Sequence, residues 1–378
     1  MAINRNLSIL AQGASSTGNL LNYTGANKII NGDMAIDQRN SGASLTPANG
    51  VYGIDRYCFF QYASASKYSV QQNAGSVATL AGMPSTYMGI TSLSAYSVAS
   101  GDFYYFQQSI EGLNCGDLHF GSSTASTVTL SFWVRSSLTG TFSGHITNSA
   151  YTRNYIFTYA ISSANTWEQK TVTIAGDQSG TWLTTNGAGI RVAFSLGCGT
   201  SQSGTAGVWG SSWLPAATGA VSVVGTNGAT WYMTGLKLEV GSVATPFVPD
   251  DYAVSLQKCY RYYEKQTWNS ANYVGIGNSY DTTGGYMVVQ YTPKRGNPAI
   301  TFPLGTTTAV EGKLYVFNAA QNVAGGPGTF NANNATPGLE RCRVDLASWT
   351  GLTASGVFMP YVSTTGAGKA YFVADAEL

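Results

Sequence analysis

Trp209 and Trp213 stand four residues apart in a Gly/Ser frame, GVWGSSWLP, with Trp182 earlier in SGTWLTTNG and Tyr151 in NSAYTRN. Aromatic planes beside small polar residues suit one kind of chemistry, sugar recognition. The apolar face of a pyranose stacks on a Trp or Tyr ring, while Asn, Gln and Asp bond the hydroxyls. These four residues are the candidate glycan contacts. The same loop tryptophans could instead plug the ends of a β-sandwich or a subunit seam, and the sequence leaves both readings open.

Catalytic and metal chemistry find less support. The two histidines, His119 and His145, lie outside any HExxH spacing, and each reads as a β-edge or loop residue. A GxSxG elbow, a GxGxxG fingerprint and a Walker loop are all missing. A glycosidase needs only two carboxylates, but the 18 acidic residues are spread thinly. The one adjacent pair, Asp250-Asp251 after Pro249, is placed to cap a helix. The five cysteines (Cys58, Cys115, Cys198, Cys259 and Cys342) are odd in number and contain no CxxC, which argues for reduced core thiols rather than disulfides or zinc. We therefore expect a protein that is not an enzyme and holds no cofactor.

Those side chains must be positioned by strands. Only 10% of the 378 residues are charged, well below the usual ~25%, while Gly reaches 45, Tyr 24 and Trp 8. Period-two alternation is clear. It puts Val128, Leu130, Phe132 and Val134 on one face, and does the same for Tyr155, Phe157, Tyr159 and Ile161, for Val172 and Ile174, and for Ile190, Val192, Phe194 and Leu196. Trp133 takes the opposite parity, as a platform or a subunit contact. KIINGDMAIDQRN reads as a short strand, an Asn31-Gly32 turn and a second strand-like piece, and Cys58 to Tyr62 as an apolar strand. Asp55-Arg56 reads as a buried-edge ion pair or an exposed turn. Many short half-buried strands without βα alternation mean an all-β sandwich or barrel.

In WYMTGLKLEVGSVATPFVP, Trp231 and Met233 share one parity and Leu236, Leu238 and Val240 the other, so a bulge at Thr234-Gly235 is expected. Pro246 and Pro249 should end that strand. Tyr252, Leu256, Cys259 and Tyr263 then follow helical spacing. The organisation read from these signals is an N-terminal arm over 1–27, a sandwich over 28–248, a linker with a short helix over 249–270 and a smaller β-domain over 271–378. A net charge of +1 gives no field for nucleic acid or anionic membranes. There is no signal-peptide core and no apolar run long enough to span a bilayer. Low charge also suggests surface buried between subunits.

Three patterns together carry a family resemblance. KIINGDMAIDQRN…IDRY pairs with YMTGLKLEVGSVATPFVP, LQKCYRYYEK follows, and the C-terminal part combines YTPKRGNPAITF with AYFVADAEL. In these the chain resembles structural fibre and receptor-binding proteins of tailed bacteriophages. Residues 28–248, with SFWVRSS and TWEQKTVTI, are similar to jelly-roll carbohydrate-binding modules. The resemblance implies a virion protein, usually trimeric, that is assembled in the host cytoplasm and presents β-domains to a host surface glycan. Residues 1–27 would dock on other virion proteins. A tail fibre is the first expectation; a capsid-surface fibre or decoration protein and a polysaccharide depolymerase are the alternatives. Jelly-roll modules of this kind often hold a structural calcium near the last strand. Here Met233-Thr234-Gly235 stands at the matching place without an acid, so no metal is assigned and only Asp33 and Glu239 remain as weak oxygen donors.

Overall fold

The computed structural model describes residues 27–62, 67–268, 275–301, 314–318, 323–324, 329–347, 357–362 and 370–378. The arm expected over residues 1–27 lies outside them except for Asn27. Contacts divide the chain into two units, Met1–Asp251 and Tyr252–Leu378.

The alternating stretches form the strands of the first unit. One sheet of seven is ordered β1 (Val51–Tyr52), β2 (Cys58–Tyr62), β5 (Phe103–Glu111), β10 (Ala188–Cys198), β7 (Gly140–Asn148), β8 (Asn154–Ile161) and β12 (Trp209–Gly210). A sheet of five is ordered β3 (Tyr68–Gln72), β4 (Met88–Ser92), β14 (Thr230–Val240), β6 (Val128–Ser136) and β9 (Glu168–Ile174). Their pairings are antiparallel throughout. A short parallel pair, β11 (Ser203–Gly204) with β13 (Ala216–Ala217), completes the unit. Together they make an all-β jelly-roll sandwich.

The core holds the side chains that the alternation selects, among them Val128, Leu130, Phe132 and Val134 from β6 and Ile190, Val192, Phe194 and Leu196 from β10. Burying each such side chain is worth about 1.5–3 kcal/mol. The expected bulge is present. The β14–β6 register shifts between Thr234 and Lys237, and Gly235 sits at φ +62°. That conformation is cheap only for glycine, and it lets both parities of the stretch face the core.

Several local expectations differ from what is observed. Residues 28–36 belong to neither sheet as a ladder strand. Their backbone is satisfied piecemeal: Lys28 N donates to the Leu238 carbonyl, Leu236 N to that of Gly32, and the Gln108 side chain brackets Ile30. Asp55 and Arg56 are both buried rather than in an exposed turn. The Asp55 carboxylate accepts from Gln38, and Arg56 donates to the Ser109 carbonyl. β14 ends at Val240, before Pro246 is reached; Gly241 at φ +116° breaks the strand first. Trp133 does face outward, yet it packs half-buried on a satellite cluster of Ala74, Tyr87, Trp167 and Tyr232.

In the second unit the short helix, α1 (Tyr252–Tyr260), is followed by β15 (Tyr263–Trp268). Tyr263 therefore lies in a strand, not on the helix. β15 pairs with Ala370–Asp375, which also pairs with Ala299–Thr301, and seven further strands make a second sheet. Inside this unit Lys294 is buried against Glu264, with Nζ to Oε2 at 2.8 Å. Among the described residues no helix is long and apolar enough to cross a membrane.

Candidate functional site

The outer face of the seven-stranded sheet is built by the parity that the core leaves over. On β5, Tyr104, Phe106 and Ile110 point inward, so Phe103, Tyr105, Gln107 and Ser109 point outward. On β10 the outward set is Arg191, Ala193 and Ser195, and on β7 it is Ser143, His145 and Thr147. Register then places neighbours. Tyr105 lies opposite Phe60 and Ser195, Ser109 opposite Arg191, and Ala193 opposite His145.

The segment around β13 covers part of this face and delivers Trp213. Ala217 N donates to Ser143 Oγ and Asn154 Nδ2 to the Leu214 carbonyl. His145 Nδ1 lies 3.1 Å from the Pro215 carbonyl, and Trp213 Nε1 lies 3.2 Å from His145 Nε2. An indole N–H only donates, so Nε2 accepts and the proton sits on Nδ1, from which it bonds Pro215. Both ring nitrogens are thus used in the neutral tautomer. Burial holds the His145 pKa down at about 4, and the Arg191 charge also lowers it, against the Pro215 hydrogen bond. His145 is an interior residue of a central strand, fully buried, not the edge or loop residue expected. His119 is in a loop and exposed.

Trp213 is wedged edge-on among rings, with centroids 5.3 Å from Phe103, 5.8 Å from Tyr105 and 5.6 Å from Tyr151. Tyr62 stacks on Phe103 at 5.8 Å and is 68% exposed. Tyr151 sits at φ +57°, an uncommon conformation for a bulky residue. Its turn is held by Asn148, whose Oδ1 accepts from Thr152 N and Arg153 N. Arg191 lies over the Tyr151 ring at 4.5 Å, and its Nη1 donates to the carbonyls of Asn148 and Ser149. The result is a line of Tyr62, Phe103, Trp213, Tyr151 and Arg191. It offers half-buried or exposed planes with a guanidinium at one end.

Trp182 and Trp209 lie elsewhere. They form a second cluster with Phe120 and Tyr155, with Trp182 to Trp209 at 5.6 Å and Tyr155 to Trp209 at 5.2 Å, packed against the core. Their indole N–H groups are spent on the Ser179 and Ala175 carbonyls. This arrangement closes the sandwich beside β8. The four candidate aromatics are therefore two pairs, Trp213 with Tyr151 and Trp209 with Trp182.

Sequence reasoning missed Tyr62, Phe103, Tyr105 and Arg191. FYYF carries aromatics at both parities, so alternation alone could not say which ring faces out. Arg191 has the parity opposite to Ile190 and Val192, which marks it as outward-facing but does not say which ring it meets.

The two calcium candidates are not brought together. Thr234 Oγ1 bonds the Asp33 carbonyl, whereas Glu239 lies five residues further along β14, roughly 16 Å away by strand rise. Calcium ligands must all lie about 2.3–2.6 Å from one ion. Burial raises the Asp33 pKa, while both Glu239 oxygens serve Thr245 and face the Lys237 ammonium at 3.1 Å. Other carboxylates are similarly engaged: Asp102 by Tyr96 and Ala99, Asp177 by Arg153, and Glu168 by Lys170 and Ser162.

No family model matches the chain, and no curated protein matches it. Among solved structures it is similar to the enzymatically active domain of bacteriophage CBA120 tailspike protein 4, at 12% identity and a TM-score of 0.32. That match covers 57% of this chain but only 22% of the tailspike chain. A CBM4 module matches at 16% identity and a TM-score of 0.28, over 56% of this chain and 98% of that one. A family 11 carbohydrate-binding module from Clostridium thermocellum, solved with a β-1,3-1,4-mixed-linked tetrasaccharide, matches at 8% identity and a TM-score of 0.28. It covers 52% of this chain and 96% of that one.

Proposed function

We propose that the first unit binds a host surface glycan through Tyr62, Phe103, Trp213 and Tyr151, and that the chain is a non-enzymatic virion protein of a tailed phage. The observation that carries the glycan reading is the fixing of Trp213 by a buried neutral His145, beside planes that remain open. A ring held before the ligand arrives loses little freedom on binding. The sequence resemblance supports the virion role, a trimer and docking by residues 1–27, with a tail fibre ahead of a capsid-surface decoration. Repetition of a weak sugar site on one particle would raise avidity without new contacts. The engagement of Asp102, Glu168, Asp177 and Glu239 in structural hydrogen bonds weighs against a depolymerase.

The test is binding of the full chain to host cells and to a panel of their surface polysaccharides. Trp213→Ala is expected to weaken binding by about two- to tenfold, since one aromatic stacking contact is worth about 0.5–1.5 kcal/mol beyond its area burial. Unchanged binding by that variant, with its fold intact, would remove this site. Reducing ends released from polysaccharide by the wild-type chain would restore the depolymerase alternative.

A further inference from the structure

The same face carries a charge that the fold does not use up. Arg191 is half-buried, and its Nη1 is committed to the Asn148 and Ser149 carbonyls. Among the described residues, its Nε and Nη2 make no hydrogen bond and no carboxylate pairs with it. Its carbon stem crosses to Tyr151, whose ring lies 4.5 Å beneath the guanidinium. Stacking and the two carbonyls fix the plane of the guanidinium, so the open Nε–Nη2 edge is held in place. That edge is the fork that matches two carboxylate oxygens.

A second observation marks the floor beside it. Ser109, directly across the ladder from Arg191, is 4% exposed, and Gln107, two residues along the same face, is 2% exposed. Ser109 Oγ and Gln107 Oε1 have no hydrogen-bond partner among the described residues. A buried polar atom left so costs about 1–3 kcal/mol, and both atoms lie beneath the surface next to Arg191. A positive fork and a stacking plane therefore lie on one face, above a polar floor.

The geometry points to a carboxylated glycan as the ligand of this site, a uronic or sialic acid polymer, with the sugar carboxylate on the open edge of Arg191 and an adjacent ring on Trp213. This rests on the glycan-binding reading and deepens it. Neutral sugars would use Trp213 and Tyr151 but leave the guanidinium without an anion. An acidic residue gains a charge-assisted, two-point contact in a partly desolvated position.

The experiment uses the full chain and three acidic polymers, alginate, hyaluronan and polysialic acid, each alongside its own carboxyl-reduced form. Titration calorimetry at low and high salt reads the affinities. At least one acid form is expected to bind about tenfold or more tighter than its reduced form. That preference should shrink with salt, while binding of the reduced form should not. Arg191→Gln should bring the two forms to parity, and Arg191→Lys should keep part of the preference by charge alone. Urea unfolding followed by tryptophan fluorescence checks that both variants stay folded. If acid and reduced forms bind alike, and Trp213→Ala but not Arg191→Gln weakens both, the carboxylate inference falls and the glycan site stands. If the wild-type chain binds neither form of any polymer, both readings fall.

Discussion

Acidification should loosen the first unit through one residue, His145. In the folded chain its imidazole is buried, with Nδ1 spent on Pro215 and Nε2 on Trp213, and its pKa is held at about 4 against an ordinary 6.5. A proton on Nε2 must break the Trp213 hydrogen bond and place a cation beneath Tyr105 and near Arg191. The unfolded chain pays neither cost. Because the folded pKa is depressed below the unfolded one, the stabilisation is fully present above pH 6.5. It is lost as pH falls from there to about 4 and changes no further below. At about 1.4 kcal/mol per tenfold change in proton affinity, the whole loss is about 3 kcal/mol. Somewhat less than half of it should be gone at pH 5.5 and most of it at pH 4.5. The assay is urea unfolding followed by tryptophan fluorescence at pH 7.5, 5.5 and 4.5, for the wild-type chain and for His145→Gln. The variant carries every other titrating group, so the difference between the two curves isolates the imidazole. The variant should be less stable at pH 7.5, and the gap should narrow steadily toward pH 4.5. Parallel curves over that range, or an imidazole titrating near 6.5 in the folded protein, would refute the reasoning.

Two further outcomes separate platform from scaffold. Trp209→Ala should cost about 3 kcal/mol of stability, the low end for a half-buried tryptophan, by loss of its contacts with Trp182 and Tyr155 and of its bond to Ala175. Glycan binding should survive at a temperature where the variant stays folded; a binding loss equal to that of Trp213→Ala would move the site. Gly144→Ala should lower the urea midpoint sharply, by about 3 kcal/mol or to outright misfolding. A Cβ there would meet the Ala193 carbonyl oxygen at 2.2 Å and the Phe157 ring at 2.4 Å, and an unchanged midpoint would contradict this packing.

How much of this could be read from the chain follows from the range of each signal. Strand faces are legible along the chain, because whether a side chain is driven out of water depends on its own type and on a period of two along its own strand. The break at Thr234-Gly235 is legible in the same way, because the parity changes within a few residues at a glycine, the residue that takes a positive φ at least cost. Which aromatics meet depends on the folded sheet. Trp213 reaches Phe103 and Tyr151 because β5, β10, β7 and β8 are neighbours in one sheet, an order set by pairings between strands far apart in sequence. The same pairings put Ser109 beside Arg191 and bury His145 beneath Trp213. Register across a ladder is a property of two strands together, and slipping it by one residue would turn each of these side chains to the opposite face.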